Sequence, residues 1–132
     1  MDLIKLSANE ALKMMEEGSL SSEEYVKAFL KQIELREDDV GAWIFLDPKL
    51  ALEQAREADK RWKDKSAGKL NGLPIGIKDI IDTKDMPTEN GSHLCKNRKP
   101  SKDAHLVKLL RDEGAVIMGK CVTTEFALSG PG

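Results

Sequence analysis

Two stretches near the start of the chain put apolar residues on one helical face behind a start signal. Ser7-Ala8-Asn9-Glu10 has the form of a capping box, in which the Ser hydroxyl and the Glu carboxylate each accept a backbone N–H of the first turn. Ala8, Ala11, Leu12 and Met15 follow on one face, and Gly18 suits the left-handed position that ends a helix. Ser21-Ser22-Glu23-Glu24 repeats the signal, and Tyr25, Val26, Phe29, Leu30 and Ile33 keep helical spacing to about residue 36. The polar residues 37–41, ending in Gly41, predict a loop. Ala42-Trp43-Ile44-Phe45-Leu46 is too short an apolar run to decide between a strand and a buried turn. Asp47-Pro48 opens a third helix, with Asp as the cap and Pro at the first helical position. Its stripe of Ala51, Ala55, Ala58 and Trp62 is narrow enough for close packing, and residues 61–69 predict a charged, solvated connector.

The second half changes character. Leu73-Pro74-Ile75-Gly76-Ile77 predicts a strand, with Pro74 near its start where a missing donor is tolerated, and Ile80-Ile81-Asp82-Thr83 is open to reading as its continuation. Residues 84–102 are polar, contain Pro87, Gly91 and Pro100, and predict a long loop of the kind that is functional or disordered. Asp103 is placed to cap a further helix, whose buried stripe would be Leu106, Val107 and Leu110 and whose end is Gly114. Ala115-Val116-Ile117-Met118-Gly119 predicts a second strand, followed by a polar turn and the short apolar segment Glu125-Phe126-Ala127-Leu128. Strand, helix, strand over residues 74–118 is the pattern of a parallel βαβ unit. The expected class is therefore α/β, one region over 1–132 with a helical part at 1–66 and a βαβ part at 67–132. The chain stops on a turn signal directly after a new apolar segment has begun, which reads as an interruption.

Composition narrows the function classes. Lys and Arg number 21 against 23 Asp and Glu, for a net charge of −2, which supplies no field to hold nucleic acid or an anionic bilayer. No apolar run is long enough to span a membrane, and the acidic and polar N-terminal residues do not resemble a signal peptide. Cys95 and Cys121 match no zinc spacing and make no disulfide framework. Together these point to a soluble, cytoplasmic chain.

Candidate chemistry is sparse. Lys78 follows a buried strand, where loss of hydration lowers a lysine's pKa and fits it to act as a base; the plainer reading is an ammonium that reaches solvent or pairs with Asp79 or Asp82. His93 and His105 have no partner at metal-ligand spacing. Glu23-Glu24 and Asp38-Asp39 sit where carboxylates favour a helix start or are solvated. Cys121, just after a strand, stands where a nucleophile could, but without a His in the pattern it reads as a buried thiol. No arrangement of glycines makes a phosphate cradle. From the residues alone, Lys78 is the one candidate.

Leu70-Asn71-Gly72-Leu73-Pro74-Ile75-Gly76-Ile77-Lys78-Asp79 resembles the segment of the amidase signature family that surrounds its catalytic lysine. Residues 21–33, Gly41-Ala42-Trp43 and residues 51–59 resemble the family's N-terminal helices and their link; residues 88–92, Asp103-Ala104 and residues 109–119 resemble its loop, helix and second strand. Lys120-Cys121-Val122-Thr123-Thr124-Glu125-Phe126-Ala127 is similar to the stretch that follows, with Cys121 where Thr is usual. The resemblance implies N-terminal helices packed on the first strands of a mixed sheet. It further implies hydrolysis of small-molecule amides or esters by a Ser–Ser–Lys mechanism with no cofactor or metal, Lys78 being the base.

The family's Gly-Gly-Ser-Ser-Gly-Gly-type nucleophile segment is not in this sequence, which reads as ending before it. Any residual activity of the chain is therefore expected to be esterase-like, with Ser129 or Ser92 as nucleophile and Gly130 against the substrate. The rival expectation is a non-catalytic module that self-associates, as a homo-oligomer through an exposed sheet edge and apolar helix faces, or pairs with a complementary chain. Neither expectation includes contact with a membrane or with nucleic acid.

Overall fold

The computed structural model describes residues 2–128. Helix α1 (Ala8–Glu16) begins where the capping box placed it: Ser7 Oγ accepts from the Glu10 amide at 3.3 Å and Glu10 Oε2 accepts from the Ser7 amide at 2.8 Å. Helix α2 (Ser22–Val40) starts in the same way from Ser21 and Glu24. It runs past residue 36, so residues 37–40 of the loop expected at 37–41 are helix. Polarity there marks a solvated helical turn, and the stop comes only at Gly41, which still bonds Glu37 O through its N–H at 2.8 Å and then, at a φ of 60°, turns the chain out of the helix. Helix α3 (Pro48–Lys63) is capped by Asp47, which accepts from the Leu50 amide at 3.0 Å. One turn from its end, Asp59 accepts from the Ser22 and Glu23 amides at 2.6 and 3.1 Å, so α3 supplies a second cap to α2.

Three strands form one sheet in the order β1-β3-β2: β1 (Trp43–Leu46), β2 (Pro74–Lys78) and β3 (Val116–Cys121). The apolar run after Gly41 is thus a strand, antiparallel to β3, while β2 and β3 are the expected parallel pair. Strand β2 stops at Lys78. Asp79 turns inward, the Ile81 amide bonds back to Lys78 O at 3.0 Å, and residues 80–83 do not continue the strand. The pleat divides the core. Val116 and Met118 pack with Val26, Ala51 and Ala55 of α2 and α3, whereas Ile77 and Ile117 pack with Met86 and Val107 on the opposite face. Each fully buried Val or Ile here contributes about 1.5–3 kcal/mol. A further cluster of Ala11, Met15, Leu20, Tyr25 and Leu73 fastens α1 to α2 and to the start of β2.

Helix α4 (His105–Asp112) covers the second face. Asp103 is not its cap: one carboxylate oxygen accepts from the Lys84 amide at 2.9 Å and the other lies 3.2 Å from Arg111 Nε. Of the expected stripe Val107 is buried and Leu110 half-buried, but Leu106 is 51% exposed, because so short a helix presents only a narrow face to the sheet. Residues 84–102 are packed rather than loose. Met86, Thr88, Ser92 and Pro100 are buried, a 3-10 turn forms at His93–Cys95, and Arg98 bonds Asp82 through both carboxylate oxygens at 2.7 and 2.9 Å. A further 3-10 turn, Glu125–Ala127, follows β3. Among the described residues no helix is long and apolar enough to cross a membrane.

Candidate active site

Strand alternation fixes where Lys78 points. Ile77 and Asp79, on either side of it, are buried at 3% and 2% exposure, so Lys78 leaves the sheet on the other face and is exposed; the loss of hydration expected of it is not found, because alternation along the strand buries its neighbours instead. In register, Lys78 stands opposite Cys121, which pairs in turn with Trp43 of β1. Next to Lys78 that face carries two glycines, Gly76 and Gly119, side by side in register. A Cβ on Gly76 would lie 2.6 Å from Cys121 Sγ and 2.9 Å from the Trp43 ring, and a Cβ on Gly119 would run into Phe45 O and the Trp43 ring. The indole therefore packs against the two glycine positions, in the space that a side chain at either would take.

The carboxylates that sequence offered as partners for Lys78 are engaged elsewhere. Asp82 is held by Arg98, whose guanidinium hydrogen bonds keep its carboxyl below the usual carboxylate range. Asp79 is turned to the buried face. Among the described residues, Lys78 Nζ makes no hydrogen bond or ion pair, so its amine is presented uncommitted at the open end of β2. Cys121 is unsuited to nucleophilic attack: burial, and next the Glu37 carboxylate, push its thiol above the ordinary range and keep the proton on sulfur.

Ser92 lies elsewhere. Its hydroxyl donates to Glu125 Oε1 at 2.6 Å and accepts from the Leu94 amide at 3.3 Å. It lines a cavity of about 350 Å³ together with Ile44, Asp79, Glu89, His93 and Thr123, on the Asp79 side of the strand end, and no hydrogen bond joins it to Lys78. Ser129 and Gly130 lie outside the described residues. His93 and His105 are exposed, and no group of three His, Cys, Asp or Glu among the described residues is placed to hold a metal ion.

Sequence reasoning missed the lysine that is desolvated. Lys120, in β3 beside Ile77, is fully buried. Its ammonium lies 2.5 Å from Thr88 Oγ1, 3.1 Å from Pro87 O and 3.4 Å from Asp79 Oδ1. Burial draws its pKa down, and the Asp79 carboxylate works in the opposite direction. The signal was a lone cation placed before Cys121, which the strand includes. Read as the first residue of a polar turn, it gave no reason to seek a buried carboxylate.

Residues 24–132 match the family model described as Amidase. A glutamyl-tRNA(Gln) amidotransferase subunit from Dehalococcoides mccartyi is 38% identical over 127 residues, covering 96% of this chain and 26% of the relative. The corresponding subunit from Clostridium botulinum is 36% identical over 129 residues, covering 97% and 27%. Among solved structures, the native peptide amidase from Stenotrophomonas maltophilia superimposes with a TM-score of 0.86 at 33% identity, over 92% of this chain and 26% of that one. A fatty acid amide hydrolase superimposes with a TM-score of 0.86 at 29% identity, over 92% and 22%. The chain spans about a quarter of the length of the curated relatives it matches.

Proposed function

The chain belongs to the amidase family, and on that premise we propose that it carries the base-bearing strand of an enzyme that cleaves carboxylic amides or esters through an acyl-enzyme. The observation that supports this reading most is the exposed Lys78 amine, which no hydrogen bond or ion pair engages among the described residues, at the end of β2 between buried Ile77 and Asp79. In the proposed reaction the unprotonated amine takes the proton of a serine hydroxyl by way of a bridging serine. The serine oxygen then adds to the substrate carbonyl, the C–N or C–O bond breaks, and the proton passes to the leaving group. Water cleaves the acyl-enzyme by the same proton path in reverse. The chain's own candidate nucleophiles are Ser129 and Ser92, and with either one esters should be favoured over amides, since an alkoxide leaves with less help than an amine. Ser92 would first have to leave Glu125.

The test is hydrolysis of a panel of aryl esters and simple amides by the protein, run beside Lys78→Ala. Turnover lost with Lys78 supports the reading, and turnover that survives the substitution overturns it.

A second reading, a non-catalytic module that self-associates, draws on the apolar residues left exposed at the same end of the sheet. Ile44, Val122, Phe126 and Leu128 are 55%, 40%, 44% and 69% exposed. A sedimentation mass above that of one chain, together with no turnover, would favour it.

A further inference from the structure

We infer that Lys120 is a positioning residue for Lys78: acting through Asp79, its buried ammonium fixes the end of β2 and with it the direction from which the Lys78 amine approaches the site. The inference rests on the reading of Lys78 as the base. An ammonium has three N–H groups, and Lys120 has three acceptors in reach, Thr88 Oγ1, Pro87 O and Asp79 Oδ1. One buried cation thus ties together β3, residues 87–88 and the residue that follows Lys78.

Asp79 is held from every side. Its amide donates to Cys121 O at 2.9 Å, its carbonyl accepts from the Asn90 amide at 2.9 Å, and its second carboxylate oxygen accepts from the Glu89 amide at 3.2 Å. With Asp79 so fixed and Ile77 buried and in register with Lys120, the Lys78 backbone has no slack between them. Its side chain has only the opposite face to enter. Filling space does not explain a lysine at 120. An apolar side chain of the same length would fill it without the cost of desolvating a charge. What the ammonium adds is a fixed junction of three chain segments, directly behind the strand end that bears the amine.

The test uses the full chain with Lys120→Met, Asp79→Asn and the two combined. Lys120→Met alone leaves the Asp79 carboxylate buried without its cation and should lower stability sharply. The double variant removes both charges at nearly constant volume and should melt close to the unaltered protein. Amide hydrogen exchange then reads the junction without any need for turnover. The Asp79 and Asn90 amides should exchange about tenfold faster or more in the double variant, while those of α2 and α3 keep their protection. On an aryl ester, kcat should fall by about tenfold or more with KM within about twofold, as when a catalytic group is misplaced. Unchanged protection of Asp79 and Asn90, or undiminished kcat in a variant of restored stability, would overturn the inference. If the double variant does not fold, Asp79→Asn, which keeps an acceptor opposite Lys120, is read by the same measures. Turnover that is absent from the unaltered protein, or that survives Lys78→Ala, would overturn the reading of Lys78 instead. The exchange result separates the two failures.

Discussion

Lys120 and Asp79 meet inside the protein with 3.4 Å between Nζ and Oδ1, their side chains 0% and 3% exposed. A pair so placed costs a great deal to desolvate and is offset only where the remaining donors and acceptors are filled, as they are here by Thr88, Pro87 and the Glu89 amide. It lies one residue from Lys78, on the face of the sheet away from it.

Breaking that pair from one side should be costly. Lys120→Met is expected to lower unfolding free energy by about 3–5 kcal/mol, and adding Asp79→Asn should recover most of the loss. Urea denaturation of the two variants checks this. A double variant no more stable than Lys120→Met would show that the lysine acts through its packing.

The glycine pair against Trp43 predicts a second effect. Gly76→Ala places a methyl group 2.6 Å from Cys121 Sγ and 2.9 Å from the indole, so both must shift, at a cost of about 1–3 kcal/mol. Because the indole moves, tryptophan emission should change along with the melting temperature. Loss of stability with unaltered emission would mean that the backbone of β2 yields instead.

The acid side of the stability curve should carry the mark of Asp82. Its folded pKa lies below its unfolded value, chiefly because of the hydrogen bonds from Arg98, so its contribution is complete above the unfolded pKa and is lost as pH falls through the folded one. Both side chains are more than a third exposed, which holds the contribution to about 1 kcal/mol or less. Melting temperatures of the unaltered protein and Asp82→Asn between about pH 6 and 3 should converge as the pH falls. Parallel curves would remove this carboxylate from the account.

Cys121 should alkylate slowly near neutrality. With its thiol pushed above the ordinary range by burial and by Glu37, the midpoint of its rate against pH for iodoacetamide should lie above that of a small thiol in the same solution. Peptide mass after timed quenching separates it from Cys95. A midpoint at or below that of the small thiol would contradict the burial seen here.

Local signals were legible in the sequence wherever the physics is local. The two capping boxes and the Asp47-Pro48 start needed only neighbouring residues, and the apolar strands flanking one helix were enough for the βαβ unit. The misreadings share a cause. A solvated helical turn and a solvated loop have the same polarity, so residues 37–40 gave no sign that α2 continues to Gly41. A carboxylate before a helix looks like a cap even when, like Asp103, it serves Lys84 and Arg111. The run Trp43–Leu46 could be settled only by its pairing with β3. At the site, the position of Lys78 at a strand end was readable, but Lys120 was not, because a buried cation is recognised by a partner distant in sequence.

The most direct measurement is kcat/KM on an aryl ester and an anilide for the unaltered protein, Lys78→Ala and Lys78→Arg. Arginine keeps a positive charge at the strand end but does not give up its proton, so it separates a base from a mere cation. Both variants should lose about 10²–10⁴-fold, the usual contribution of a positioned acid or base. Turnover in Lys78→Arg within about threefold of the unaltered protein would contradict it.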